Sequence, residues 1–178
     1  MAGKSARASA IGKTLVALGL IFTGLEFMSG AFAPLRSDQN FISYLHLFDA
    51  QTLGSLMACV AIGCLLTVII QSSSAMLGIT ITLASTGVID FNTAVALIIG
   101  ENVGTTITAQ LAAIGANTSA VRTARAHAIF NLLGAVIFIV MFPYYVGFIE
   151  WLVANPADAV DASGSRPNIA WHIAVAHT

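Results

Sequence analysis

The stretch LGSLMACVAIGCLLTVIIQSSSAMLGITITLASTGVI, residues 53–89, contains no charged side chain and carries Gln71-Ser72-Ser73-Ser74 at its centre. It is longer than one bilayer crossing needs, about 20 apolar residues for a hydrocarbon core about 30 Å thick. Consecutive polar residues in such a run mark a point where a helix stops and restarts, because irregular backbone at membrane depth is tolerated only inside protein or along a cavity. The stretch therefore predicts a re-entrant helical hairpin over 53–89, with arms Leu53–Ile70 and Ala75–Ile89 that can just reach across at about 1.5 Å per residue. Two full spans joined at the same point would also fit, but a turn reaching water normally carries charge.

Composition agrees. The chain is 57% hydrophobic and 8% charged, with mean hydropathy +0.88, whereas a soluble domain is about one quarter charged. An all-α integral membrane protein is expected. A net charge of −1 without a Lys/Arg cluster excludes nucleic acid as a partner. Cys59 and Cys64 sit in apolar sequence with no His or acid beside them, and read as small packing residues, not as a metal or redox pair.

Working outward, residues 1–10 form a basic cytoplasmic N-terminal segment and 11–32 a transmembrane helix. Lys4, Arg7, Lys13 and the Ala31-Phe32-Ala33 sequence would also suit a cleaved signal peptide, but Glu26 interrupts the apolar region and further spans follow, so a retained helix is expected. Residues 33–52 mix Arg36, Asp38, His46 and Asp49 with Phe41, Tyr44, Leu45 and Phe48, the pattern of an interfacial linker. After the hairpin come a segment over 91–114, a polar and basic stretch over 115–125, a span over 126–153 ending in an interface belt of Pro143, Tyr144, Tyr145 and Trp151, a polar loop over 154–168, and the start of a further transmembrane segment over 169–178. With the N-terminus cytoplasmic, Arg122 and Arg125 also fall inside if the hairpin returns to the side it entered from and 91–114 crosses once.

The segment over 91–114 contains Gly100-Glu101-Asn102-Val103-Gly104-Thr105-Thr106, which predicts a discontinuous transmembrane helix. Helices restarting at Ser73 or Ser74 and at Thr105 or Thr106 would aim backbone N–H groups and positive dipole ends at an anion. The arms ending near Ile70 and Gly100 would offer carbonyls to a small cation. Gln71 can donate and accept, Asn102 sits on the expected unwound stretch, and Gly100 and Gly104 permit unusual backbone. The competing reading is that the two glycines form a close helix contact and the hydroxyls bond back to their own helices. Glu101 is the only acid in these elements and reads as a proton acceptor or a cation ligand.

These residues resemble the Na+/phosphate cotransporter family, the type II sodium-phosphate transporters and their bacterial relatives. The resemblance rests on Gln71-Ser72-Ser73-Ser74-Ala75, on Gly-x-Asn-Val-Gly-Thr-Thr at Gly100 to Thr106, and on Arg125-Ala126-His127-Ala128-Ile129-Phe130-Asn131. It covers Leu53 to about Leu133 and is similar to the family's second repeat. It implies that Gln71 and Ser72 to Ser74 contribute to Na+ and phosphate binding, with Na+ held through Gln71, Ser72 and Ser73. Asn102, Thr105 and Thr106 would line the facing wall, with Gly100, Glu101, Gly104, His127 and Asn131 in support. Family members pair two such repeats in inverted topology. This chain has one, so it is expected to be part of a longer transporter, with a second inverted repeat in the same or another chain. Ala174-Val175-Ala176-His177-Thr178 echoes Ala124-Arg125-Ala126-His127-Ala128.

The expected function is thus part of a sodium-coupled inorganic phosphate transporter, multi-pass in the plasma or inner membrane, working by alternating access, with no cofactor beyond the coupling ion and no enzymatic activity. The alternatives are a transporter of another oxyanion and a non-transporting membrane subunit that pairs with another repeat. An intramembrane hydrolase using Ser72 to Ser74 with His127 lacks a nucleophile-elbow sequence around the serines.

Overall fold

The computed structural model describes residues 2–32, 34, 38, 40, 48–153, 166 and 168–177. Among them the regular structure is helical: α1 (Ala2–Phe32), α2 (Leu53–Ile70), α3 (Ser73–Ser85), α4 (Phe91–Ala112), α5 (Thr118–Val140), α6 (Phe142–Val153) and α7 (Ile169–His177). The interfacial segment expected over 33–52 and the polar loop over 154–168 lie largely outside the described residues.

Each of α2 to α5 begins at a polar side chain that replaces a missing intrahelical bond. Thr52 and Ser55 form a reciprocal capping box at α2. Ser72 Oγ accepts from the Ala75 N–H at 3.3 Å, Asp90 from Thr93 at 2.8 Å, and Asn117 from Ala120 at 2.9 Å. The Asn117 cap starts α5 within the basic stretch, so Arg122 and Arg125 are helical rather than on a loop. The helix ends at Met141, just before Pro143, whose ring carries no N–H to continue the ladder.

Helix α4 is the centre. From Ala94 to Glu101 every residue is buried, the mark of a helix packed on all sides rather than an amphipathic surface helix. Against it lie α2, α3, α5 and α7. The contact with α2 is between backbones. A Cβ placed on Gly63 would lie 2.2 Å from the Leu97 carbonyl oxygen, one on Gly100 would lie 2.0 Å from that of Val60, and one on Gly104 would lie 2.6 Å from that of Cys64. At the start of the same seam the Phe48 carbonyl accepts from both Cys59 Sγ at 3.3 Å and Thr93 Oγ1 at 3.0 Å. Gly100 meets Val60 and Cys64, and Gly104 one turn later meets Cys64 and Thr67, so α2 and α4 run parallel, and α3 returns alongside α4 in the opposite direction.

The discontinuous helix expected over 91–114 is not what forms. Helix α4 runs unbroken from Phe91 to Ala112, with Thr105 Oγ1 bonded to the Glu101 carbonyl at 2.8 Å and Thr106 Oγ1 to that of Val103 at 2.8 Å. The glycines serve close approach, and the hydroxyls satisfy themselves on the preceding turn.

Among the described residues, three helices are long and apolar enough to cross a membrane: Ala6–Met28, Leu53–Ile70 and Thr118–Val140. Helix α3, with 13 residues, reaches about 20 Å and falls short of the hydrocarbon thickness. Helix α1 touches the rest chiefly through α3, and exposes Leu15, Val16, Leu20 and Phe22. The protein is an all-helical membrane protein.

The α2–α4 seam makes a testable contrast. Gly100→Ala should destabilise the protein by about 1–3 kcal/mol through overpacking against backbone that cannot give way. Gly134→Ala, which has nothing within 4 Å of its new methyl, should be neutral or stabilising by up to about 1 kcal/mol. Thermal unfolding in detergent separates the two.

Candidate functional site

The break between α2 and α3 is two residues long. Gln71 sits in the left-handed region at φ 56° and ψ 26°, its N–H donating to the Thr67 carbonyl, and Ser72 is extended at φ −146°. One left-handed residue followed by one extended residue reverses the chain with no loop between. The Ser72 carbonyl accepts from Met76 at 3.0 Å and its hydroxyl from Ala75, so the N–H groups of Ser73 and Ser74 are the first-turn donors left facing the tip. Beside them, the carbonyls of Val68, Ile69 and Ile70 end α2 without an acceptor role in the helix. Gln71, Ser72 and Ser74 are exposed and Ser73 is half-buried. The tip thus sets the positive end of one helix dipole and the negative end of another a few residues apart.

Because α2 runs parallel to α4, Thr67 packs at Gly104, and the tip lies one turn further along, beside the second half of α4. Asn102 points elsewhere. It lines a cavity of about 330 Å³ together with Phe130, Asn131, Tyr145 and His177, enclosed by α4, α5, α6 and α7. None of Gln71 to Ser74 lines that cavity. Asn131 donates its amide N–H to the His127 carbonyl at 2.9 Å, while His127 itself is exposed. The structure therefore divides the expected site residues. Gln71 and the serines form the tip, Asn102 and Asn131 face a separate cavity, Gly100 and Gly104 build the seam, and Thr105 and Thr106 are spent on their own helix.

Sequence reasoning missed three polar residues. Tyr145, read as part of an interface belt, is half-buried with its hydroxyl donating to the Ala176 carbonyl at 2.5 Å. His177, visible only as an echo of His127, lines the cavity, and its Nδ1 is buried without a hydrogen-bond partner. Thr80 donates through Oγ1 to Glu101 Oε1 at 2.7 Å, both residues fully buried. A lone threonine in an apolar arm gives no local signal of such a partner 21 residues away. Among the described residues no cluster of His, Cys, Asp or Glu is arranged to hold a metal ion, so any cation at the tip would rest on backbone and hydroxyl oxygens.

The hairpin, the seam and the start of α5 all fall inside residues 43–150, which match the sequence profile of the Na+/Pi-cotransporter family. The chain belongs to that family. It is 31% identical to the uncharacterized protein YqeW of Bacillus subtilis over 84% of this chain and 48% of that protein. It is 32% identical to the "Putative inorganic phosphate export protein YjbB" of Escherichia coli K12 over 75% of this chain and 24% of that protein. The mouse sodium-dependent phosphate transport protein 2C is 40% identical over 42% of this chain and 13% of its own length. The chain thus spans half or less of the curated relatives it matches. No solved structure matches it.

The left-handed residue at the tip allows backbone and side chain to be tested apart. Gln71→Gly should leave thermal stability unchanged or raise it by up to about 1 kcal/mol, because glycine adopts this conformation freely. Gln71→Val should lower it by a similar amount or more. Equal melting temperatures for the two variants would show that the αL geometry contributes nothing to the fold.

Proposed function

We propose that this chain supplies one repeat of a sodium-coupled inorganic phosphate transporter of the cell membrane, with phosphate and Na+ bound at the tip between α2 and α3. The observation that carries the reading is the two-residue break at Gln71 and Ser72, lying within the part of the chain that matches the family. Phosphate would take the free N–H groups and hydroxyls of Ser73 and Ser74 at the positive end of α3. Na+ would take oxygen ligands from Gln71, Ser72, Ser73 and the last carbonyls of α2. In this reading α2 and α3 form a re-entrant hairpin, the short α3 returning to the side that α2 entered from, with the N-terminus of the chain cytoplasmic. A second, inverted repeat provides the opposite wall, and the exposed Gln71, Ser72 and Ser74 face it. Alternating access follows when the hairpin and its partner rock about the bound ions.

A second reading concerns direction. The name of the enterobacterial relative points to net phosphate export, and the same tip would serve it if the ion gradients favour outward movement. No step in either reading makes or breaks a covalent bond, which fits a transporter rather than an enzyme.

Phosphate uptake by the complete protein in proteoliposomes tests the reading. An inward Na+ gradient should drive uptake and K+ in its place should not. Ser73→Ala should lower Na+-driven flux about tenfold or more, the effect of losing one hydrogen bond to a charged ligand, with the melting temperature little changed. Full Na+-driven flux in Ser73→Ala would remove Ser73 from the site.

A further inference from the structure

The proposed transport at the tip makes no use of Glu101. Its side chain is 0% exposed and stands at the middle of α4, about 15 Å from either end of the helix. One oxygen, Oε1, accepts from Thr80 Oγ1. The other, Oε2, is buried with no hydrogen-bond partner. An ionised carboxylate in a low-dielectric interior costs several kcal/mol unless its charge is compensated, and what compensates the charge is a paired cation or a bound proton.

The surroundings discriminate between these. Helix α3, which carries Thr80, has no titratable side chain along its length. Helix α2 offers only the thiols of Cys59, whose Sγ donates to the Phe48 carbonyl, and Cys64. On α5, Arg122, Arg125 and His127 are exposed. On α7, His172 is buried with Nδ1 2.9 Å from the Asn168 carbonyl and its ring edge-on to Phe91, and His177 faces the cavity with Asn102. No described arginine, lysine or histidine pairs with Glu101, and no described set of acids or histidines surrounds it as a metal site would. A metal ion needs several converging oxygens. A proton needs one.

We propose that Glu101 is a proton-binding site that is loaded and unloaded during the transport cycle, with Thr80 as the group that reports its state to the hairpin. The proposal rests on the transport reading above. On loading, a proton from water forms an O–H bond at Oε2 and the carboxylate charge is cancelled. On unloading, that bond breaks and the proton returns to water. No electron moves. Either event changes how strongly Oε1 accepts from Thr80, since a hydrogen bond to a carboxylate is about twice as strong as one to a neutral carboxyl. Thr80 lies on the arm that bears Ser72 to Ser74, so the proton biases the position of the serine tip against α4. Access for water requires α3 to separate from α4, which confines exchange to conformations in which the hairpin has moved.

The test has two independent arms on the complete protein. In the first, infrared difference spectroscopy in detergent follows the carboxylic acid C=O band as pH is changed. The expected result is a band that appears and disappears with pH, is absent in Glu101→Gln, and has its midpoint displaced in Thr80→Val. A band that is constant at every pH, or none that Glu101→Gln removes, overturns the proposal. The second arm is the ratio of wild-type to Glu101→Gln phosphate flux against pH, in which changes in phosphate protonation cancel. It should vary with pH, approaching about tenfold per pH unit on one side of the midpoint. A flat ratio with both proteins folded and active overturns the coupling. Absence of phosphate flux in the wild type would defeat the transport reading, and the infrared arm would still decide whether Glu101 exchanges a proton.

Discussion

The structure depends on the backbone-to-backbone approach of α2 and α4. In a membrane the apolar surroundings give no large advantage to burying one helix on another, so association rests on close packing and on removing side chains from the contact. Gly63, Gly100 and Gly104 do this on the two facing helices, where added Cβ atoms would lie 2.0 to 2.6 Å from carbonyl oxygens. The seam fixes the relative height and parallel direction of α2 and α4. Those two facts set where the tip at Gln71 lies and which face of α4 is left for α3.

Since successive residues on a helix point about 100° apart, the glycines and Glu101 divide the surface of α4 between two neighbours. Gly100 and Gly104 meet α2, while Glu101 meets Thr80 on α3. Asn102 is turned to the cavity shared with α5. The motif Gly100 to Thr106 is therefore a junction, in which adjacent residues serve three different contacts. The proposed phosphate and Na+ binding belongs to the tip, and the junction holds the tip in register.

Much of this was legible in the sequence. The uncharged run with Gln71 and three serines announced a stop and restart in the helix, and the backbone changes direction there. The expected helix restart at Ser73 or Ser74 is where α3 begins, capped by Ser72, whereas the caps at Thr52, Asp90 and Asn117 went unread. The error over α4 has a physical origin. Two glycines four residues apart look the same whether they release a helix or admit a neighbour, and only the partner surface, here Val60, Cys64 and Thr67, distinguishes the cases. That surface lies some 40 residues earlier in the chain and is invisible to local pattern. Thr80 and Tyr145 were missed for the same reason, because a single polar atom acquires its meaning from what it touches across the fold.

Helix α3 is clasped from outside at its C-terminal end. Beyond Ser85 the chain turns through Gly87 into the Asp90 cap, and Arg166 clasps that end by donating from its backbone to the Ser85 carbonyl at 3.3 Å and from its guanidinium to that of Ile89 at 2.9 Å. Thr80 is pinned to Glu101 within the next two turns, while Ser72 and Ser74 stand exposed at the opposite end. The helix forms a lever with its fulcrum near Thr80 and an arm of about 10 Å reaching past the buried Met76 to Ser73. A tilt of about 10° at the fulcrum carries the serine end through roughly 2 Å, close to the difference between a hydrogen bond held and one broken.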